Sequence, residues 1–533
     1  MGIERRQGVR ISLTNDVLNV QMKAEKTYIP CQVNDLSGTG LGLTTNVLED
    51  IPVGSYVKLN TDNPGEGFNI EAKIMWRSSA LSASTTRHYG AILIQRHNTN
   101  DYKQVLSTLS KHAQPELPRR QSHPQKDITS LKDRTERRNA NTIRLRLASE
   151  GQKIDDWVAR HRLQRVMSTA STSKVMSGGT EKIMLGSNNY LGLSTHPAVV
   201  EAAINATEKY GVGAGSVRLL AGTIDLHQKL EEKLAEFIGT ESCALYPSGY
   251  MANVAVLSTI LCRDDAIFND TLNHASIIDG CRASGASMQF YRHNDMENLA
   301  RKLSRYPYEQ PKIIVTDGVF SMDGDVAQLP EIIQLGKQNN AIVMVDDAHA
   351  TGVLGINGRG TSEYYGLVEQ PDITICTLSK GLGIIGGAVC GSKMLTKTLV
   401  HRSRPYIFTG ALPPAVAAAG IAALDVIKHE TYLINQLHKN RETLCHELRL
   451  MGYDVPETQS AIIPVIIGDE DKTNELAAVL DELGVLVSAV TPPAVSRGTC
   501  RLRVSVMATH TEDDILQAVK VFRVAGRRVR IIP

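Results

Sequence analysis

The chain has 533 residues, 42% hydrophobic and 21% charged, with a formal net charge of +2. That is ordinary globular composition, long enough for two or more domains. So small a charge excess gives no argument for nucleic acid or a membrane surface as partner. Eight scattered cysteines, Cys31, Cys243, Cys262, Cys281, Cys376, Cys390, Cys445 and Cys500, form neither a CxxC pair nor a zinc spacing. Reduced thiols, with no metal site, are expected. The opening MGIERRQGVR lacks the apolar core of a signal peptide, and no apolar run is long enough to span a bilayer. The expected location is therefore cytoplasmic.

Residues 1 to about 110 are predicted to be β-rich. YIPCQVNDLSG, SYVKLNT, FNIEAKIMWRSS and RHYGAILI are short, partly alternating runs separated by turn-forming residues, which suggests a small barrel or sandwich. ERRQGVR is followed about 25 residues later by NDLSGTGLG. Each alone is a basic terminus or a hairpin turn. Together they fit RxxxR (Arg6 and Arg10, with Arg5 beside them) and DxSxxG (Asp35, Ser37 and Gly40). The pair resembles the PilZ domain, a small β-barrel that binds cyclic di-GMP, and KIMWR and RHYGAIL fit its closing strands. The resemblance implies that the arginines meet guanine edges and phosphates. It also implies that Asp35 accepts from guanine N–H groups, that Ser37 meets phosphate and that Gly40 permits the turn.

Residues 111–140 are polar, Pro-containing and almost free of large apolar side chains, and read as a linker. Residues 141–533 read as α/β. AAINATEKYG and LHQKLEEKLAEFIG are helical, the second with a glycine stop. KIIVTDG, AIVMVDD and DITICTLSK are apolar runs ending in polar residues, as buried parallel strands do. Their alternation with helices predicts a mostly parallel sheet covered on both faces. SAIIPVIIGD, KTNELAAVLDELG, LVSAV and CRLRVSV predict a smaller C-terminal α/β lobe.

The chemistry gathers at strand ends, where open α/β sheets bind ligands. CTLSKGLGIIGG puts Lys380 between a strand and a glycine-rich run, with Thr377 and Ser379 beside it. Alone this also suits a surface turn. Hydroxyls, backbone N–H groups and one lysine suit a phosphate bearing an aldehyde, as a Schiff base with pyridoxal phosphate (PLP) requires. The nucleotide P-loop spacing is not met. MVDDAHATG ends an apolar run on Asp346, Asp347 and His349. Taken alone, DDAH also suits a helix cap. A carboxylate there would pair with a pyridinium nitrogen, and His349 lies one short turn on. YPSGYMAN leads from a strand into a helix whose first N–H groups, at Gly249 and Tyr250, would cradle a phosphate. LNHASIIDG carries His274, which could stack on a ring.

In order, SNNYLGL, GAGSVRLLAGT, YPSGYMAN, NHASIIDG, TDGVFSMDGD, VDDAHATG, NGRG, TLSKGLG, RSRPYIFTGALPP and CRLRV resemble the α-oxoamine synthases, from about Asn189 to the C-terminus. These are fold-type I, PLP-dependent acyltransferases. The resemblance implies that Lys380 is the Schiff-base lysine, Asp346 the pyridine-nitrogen carboxylate, His349 the ligand of the phenolic oxygen and His274 the stacking ring. Ser321, Thr377, Ser248, Gly249 and Tyr250 would line the cofactor pocket. Thr409 would reach the phosphate of a partner subunit, implying a homodimer with shared sites. Asn189 and Arg503 would lie at the amino-acid substrate, with Arg503 holding its carboxylate.

The implied reaction joins glycine, alanine or serine to an acyl thioester of coenzyme A or an acyl carrier protein. Lys380 removes the Cα proton, the carbanion displaces the thiol, and loss of carbon dioxide leaves an α-aminoketone. Several relatives carry arginine before the Pro-Pro of AVTPPAVS, where this chain has Thr491. That favours a plain acyl tail over a carboxylated one. The front module would make the reaction responsive to cyclic di-GMP. Two other readings stay open here: an inactive synthase serving as a cyclic di-GMP-binding scaffold, and another fold-type I chemistry such as transamination.

Overall fold

The computed structural model describes residues 165–533 continuously, seven strands between Ile11 and Leu93, and isolated positions between 147 and 158. Two compact units divide the chain, residues 1–135 and 136–533. Arg5, Arg6, Arg10 and the predicted linker at 111–140 lie outside the described residues, as do the side chains of Asp35 and Ser37.

The first unit holds β1 (Ile11–Ser12), β2 (Leu18–Ala24), β3 (Thr27–Ser37), β4 (Gly40–Thr45), β5 (Tyr56–Thr61), β6 (Asn69–Arg77) and β7 (Arg87–Leu93). They pair in the order β1-β3-β2-β5-β6-β7-β4, and β4 pairs again with β3, closing an antiparallel barrel. Closure leaves no long edge open to a stray strand. The predicted runs correspond to β3, β5, β6 and β7. β2 and β4 complete the ring; LNVQMKA alternates apolar and polar residues at every position, a strand signal that sequence reasoning nonetheless passed over.

In the second unit, within its continuously described residues, the hairpin of β8 (Lys174–Ser177) and β9 (Thr180–Met184) comes first. Helices α1 (Pro197–Tyr210) and α2 (Asp225–Ile238) follow, each stopped by a glycine with positive φ, Gly211 and Gly239. The large sheet comprises β10 (Ser242–Tyr246), β11 (Ala266–Asp270), β12 (Ser287–Tyr291), β13 (Lys312–Asp317), β14 (Ala341–Asp346), β15 (Ile373–Thr377) and β16 (Gly387–Gly391). Its order is β10-β16-β15-β14-β13-β11-β12, with β16 antiparallel to both neighbours and the other pairs parallel. This is the expected mixed, mostly parallel sheet.

Strand periodicity sorts its side chains to two cores. Ile313, Val315 and Met344 pack on one face with Val256 and Leu257 of α3 (Gly249–Ile260) and Ile277 of α4 (Ala275–Ser284). Ile314, Val343 and Val345 pack on the other with Phe268, Leu299 and Phe320. Each such buried aliphatic contributes about 1.5–3 kcal/mol.

The C-terminal lobe has an antiparallel sheet, β17 (Ile462–Gly468), β20 (Cys500–Ser505) and β19 (Ser488–Val490). LVSAV, read as one strand, is split: β18 (Val485–Leu486) pairs with β9, and β19 pairs with β20. No described helix is long and apolar enough to cross a membrane.

Candidate active site

Asp317 and Asp346 stand opposite each other at the carboxyl ends of β13 and β14, and Thr377 ends β15. The same alternation that sends Val315 and Met344 toward α3 and α4 sends these two carboxylates there as well. Asn253 Nδ2 on α3 donates to Asp346 Oδ2 at 2.6 Å, and the Ala348 N–H donates to Oδ1 at 2.9 Å. Asp317 Oδ2 accepts the His274 N–H at 2.9 Å. Burial and the nearby Asp346 push the Asp317 carboxyl well above the ordinary range.

Asp347, next along the chain, has a different task. It is buried, and it takes the Thr361 N–H at 2.8 Å and the Thr361 hydroxyl at 2.6 Å, pinning the turn at Gly360, whose φ is 105°. One aspartate therefore faces the cavity and its neighbour fastens a loop. Burial raises the Asp347 carboxyl to about 6.

A single cavity is lined by Gly249, Tyr250, Asn253, His274, Ser276, Asp317, Ser321, Asp346, Ala348, His349, Thr377 and Lys380. It thus collects most of the residues expected at a cofactor. Lys380 Nζ lies 2.7 Å from His349 Nε2. Burial lowers the lysine to about 8 from the ordinary 10.5, against the opposing fields of Asp346 and Asp317. Burial, then the charges of Lys380 and Arg503, hold His349 well below its ordinary value, so its ring is neutral. His274 Nδ1 meets Ser276 Oγ at 2.7 Å. Ser248 caps α3 by accepting from the Met251 N–H, while the first N–H groups of that helix have no acceptor within it. A Cβ at Gly249 would run into Thr377 Oγ1, so only glycine lets the helix start close against that hydroxyl.

These features fit PLP on the structure's own terms. A helix N-terminus and a threonine suit the phosphate, a buried carboxylate suits the pyridinium nitrogen, and a buried amine suits the aldehyde. Asn253 Oδ1 is buried without a partner beside them.

Arg503 is buried at the edge of this cavity, on β20. Its guanidinium donates to the Ser321 carbonyl at 2.6 Å, Ser505 Oγ at 3.1 Å, Asn188 Oδ1 at 3.2 Å and Tyr190 Oη at 3.3 Å. Asn189, expected at the substrate, is not brought here. Its amide donates to the Ser171 carbonyl at 2.9 Å and Ser194 Oγ at 2.7 Å, and its oxygen accepts the Ser194 N–H at 3.3 Å, so it shapes its own loop. Its neighbour Asn188 is the asparagine that touches Arg503. Sequence reasoning also passed over Tyr190, Asn253 and Asp317, although all three sit inside the quoted motifs.

Thr409 does not line the cavity of its own chain. Gly410 beside it pairs with Val217, and the Ala411 N–H donates to the Ser216 carbonyl at 3.1 Å. The two segments so joined expose Val212, Leu220 and Phe408. In the barrel, Ser12 pairs with Asp35, and Ser37 pairs with Gly40 across the β3–β4 turn.

Residues 180–522 match the model of the aminotransferase class I and II family, and residues 4–104 match that of the PilZ domain. An 8-amino-7-oxononanoate synthase of Thermoanaerobacter pseudethanolicus is 44% identical over 373 residues, 70% of this chain and 94% of that one. 8-Amino-7-oxononanoate synthase 1 of Bacillus velezensis is 44% identical over 354 residues, 66% and 90% of the two chains. A solved serine palmitoyltransferase from S. paucimobilis, with bound PLP, superposes with a TM-score of 0.70 at 34% identity, covering 76% of this chain and all of that one.

Proposed function

Since the chain belongs to the α-oxoamine synthases of the aminotransferase class I and II family, a PLP-dependent acyltransferase, we propose that it condenses alanine with an acyl thioester, releasing the thiol and carbon dioxide and leaving an α-aminoketone. The observation that carries this reading is the convergence of Lys380, Asp346 and His349 on one cavity, with Arg503 bonded to the carbonyl of Ser321 in its lining. Alanine is favoured because 8-amino-7-oxononanoate, the product in the relatives' names, ends in an aminated carbon bearing a methyl group, the part of alanine left once its carboxylate departs as carbon dioxide. Thr491, which is buried, replaces an arginine that several relatives carry before the Pro-Pro, and this supports a plain acyl chain in place of the carboxylated one in the relatives' product.

Bound in this cavity, PLP supplies an aldehyde for amine exchange and a ring that takes up the charge left when the Cα proton departs. The protein does the rest. The start of α3 and Thr377 would hold the phosphate end. Asp346, kept in place by Asn253 and the Ala348 N–H, would pair with the pyridinium nitrogen. Arg503, fixed by the Ser321 carbonyl, orients the substrate carboxylate and with it the Cα–H bond. Lys380 receives the Cα proton, because burial leaves about a tenth of it as free amine at pH 7, far more than an ordinary lysine would have.

A pH dependence follows. The free amine is the form that captures the cofactor. The rate of PLP addition to PLP-free protein should therefore rise with a midpoint near pH 8 and level off above it, where an ordinary lysine would go on accelerating toward 10.5. Stopped-flow absorbance across that range reads the midpoint directly, and a midpoint above 10 would refute the lowered lysine.

Two further parts belong to the proposal. The exposed Val212, Leu220 and Phe408, tied to the segment carrying Thr409, support a homodimer in which Thr409 serves the partner's phosphate. A monomer in sedimentation at working concentration would remove that reading. The PilZ module supports control by cyclic di-GMP: the pairing of Ser12 with Asp35 holds the strand that follows the arginine motif against the DxSxxG strand. Arg6→Ala is expected to weaken cyclic di-GMP binding at least tenfold by calorimetry, about 1.4 kcal/mol, and to abolish any effect on turnover.

The test of the whole is thiol release by the full-length protein from a panel of acyl-CoAs with glycine, alanine or serine, with and without cyclic di-GMP. The panel includes plain chains and a seven-carbon chain ending in carboxylate. Release confined to alanine and plain chains is the expected result. Release confined to the carboxylated chain would overturn the reading of Thr491, and none with any pair would overturn the condensation.

A further inference from the structure

We propose that His293, outside the cavity, is a positioning residue: its imidazolium bridges Asp270 and Asp325 and so fixes the hairpin that aims Arg503 at the amino-acid carboxylate. The hairpin runs from Val319 to Val326, which pair with each other, and the Gly324 N–H donates to the Phe320 carbonyl at 2.8 Å. Its tip carries Ser321, which lines the cavity and whose carbonyl accepts from Arg503 Nε at 2.6 Å. The C-terminal lobe grips that tip. Arg501 donates to the Met322 carbonyl at 3.3 Å and to the Asp323 carboxylate, and the Thr458 and Ser460 hydroxyls donate to the Gly324 carbonyl at 2.7 and 2.9 Å. His293 holds the hairpin from the large sheet. Its Nε2 lies 2.9 Å from Asp325 Oδ2 and its Nδ1 3.1 Å from Asp270 Oδ1, at the end of β11. Its ring also meets Phe320 edge to face, with centroids 4.4 Å apart.

The charge on the ring follows from this geometry. Carboxylates only accept, and a neutral imidazole has one N–H, so two carboxylate partners require both nitrogens to be protonated. Burial opposes the charge, and the bonds to Asp270 and Asp325 outweigh it, raising the ring to about 10. Among the described residues, those two carboxylates face the ring; behind them Tyr291 and Asp317 lie in the field of Asp270, and Tyr365 in that of Asp325. The two ends of the bridge do not depend on it equally. Without the imidazole, Asp270 keeps the Leu272 and Asn294 N–H donors at 2.8 and 3.0 Å, so the turn leading to His274 holds. Asp325 keeps Asn294 Nδ2 at 2.8 Å, while its buried Oδ1 has no partner among the described residues. Loss of His293 therefore loosens the hairpin and the aim of Arg503, and leaves the residues expected at PLP in place.

The inference rests on the reading that Arg503 takes the substrate carboxylate, and its test separates the two. Full-length, PLP-loaded protein is compared as wild type, His293→Gln, Arg503→Lys and the double variant. His293→Gln should raise KM for alanine about tenfold and change kcat and the PLP dissociation constant less than about threefold. Arg503→Lys should raise KM as well, and the double variant should raise it no further, because one residue acts through the other. Nitrogen-15 spectra of histidine-labelled wild type, with the His293 signal identified by its loss in His293→Gln, should show both nitrogens protonated at about pH 8.5, where an ordinary imidazole is neutral. Should His293→Gln fail to fold, Asp325→Asn removes one of the two carboxylates at nearly constant shape, and KM is expected to move the same way. A neutral ring at that pH, a loss confined to kcat or to PLP binding, or additive effects on KM would overturn the proposal. KM unmoved in His293→Gln but raised in Arg503→Lys would overturn it alone, whereas KM unmoved in both would overturn the carboxylate reading and the proposal with it.

Discussion

Lys380→Ala is expected to stop thiol release, lowering turnover by about 10⁴-fold or more while the fold stays intact. The side chain serves twice in the proposed chemistry, first as the amine that anchors the cofactor and then as the base at Cα. Removing a positioned base alone costs about 10²–10⁴ in rate. The fold, by contrast, gains. With its value held at about 8 against 10.5 unfolded, the lysine binds fewer protons in the folded chain between those limits. Stability therefore rises as pH climbs through that window, and below pH 8 the buried ammonium is a net cost of up to about 3 kcal/mol. PLP-free Lys380→Ala should melt no lower than wild type at pH 7, and the difference should shrink toward pH 10. Calorimetry of both proteins, with thiol release on the same samples, checks both halves. Residual turnover above about 1% of wild type would require another base.

The second large effect is at Asp346. Asp346→Asn is expected to cut turnover about 10²–10³-fold, the scale of losing one charge aimed at a reacting system. Cofactor binding should survive, because the start of α3, Thr377 and Lys380 remain. Asparagine nearly matches aspartate in shape but not in hydrogen bonding. Both Asp346 oxygens accept, one from Asn253 and one from the Ala348 N–H, so an amide nitrogen would oppose one donor. The variant should stay yellow with PLP and nearly inactive. Turnover within about threefold of wild type would remove the ring–carboxylate pairing from the mechanism.

Much of this was legible in the linear chain, and the places where it was not have physical causes. KIIVTD and ITICT are buried throughout and AIVMVD from Val343 onward, and such runs announce central parallel strands without any helix-period competitor. The polar residues at their ends could then be placed at a ligand face before any coordinates. Asn188 and Asn189 show the limit. They are adjacent and chemically identical, and only the turn geometry that points one at Arg503 and the other at Ser194 separates them. Asn253 was hidden for a related reason: it sits in a helix chosen for its N-terminus, one turn beyond the phosphate end, where its reach to Asp346 depends on how α3 crosses the sheet. Tyr190 reads as a core tyrosine in any apolar segment, and only the fold brings it to residues 159 and 313 positions away.

The order of the large sheet carries a consequence for how the protein is made. β10, the first of its strands to leave the ribosome, is hydrogen-bonded only to β16, the last. Throughout synthesis of the intervening helices and strands, SCALY presents an unpaired apolar edge with no ladder to join. Arg503 arrives later still, close to the C-terminus. The nascent chain thus has a long interval in which neither sheet nor site can close, and a competing edge from another chain can be captured instead. Slow, cool expression or a holdase chaperone should raise the soluble yield, whereas truncation anywhere before β16 should leave the edge permanently open and the product insoluble.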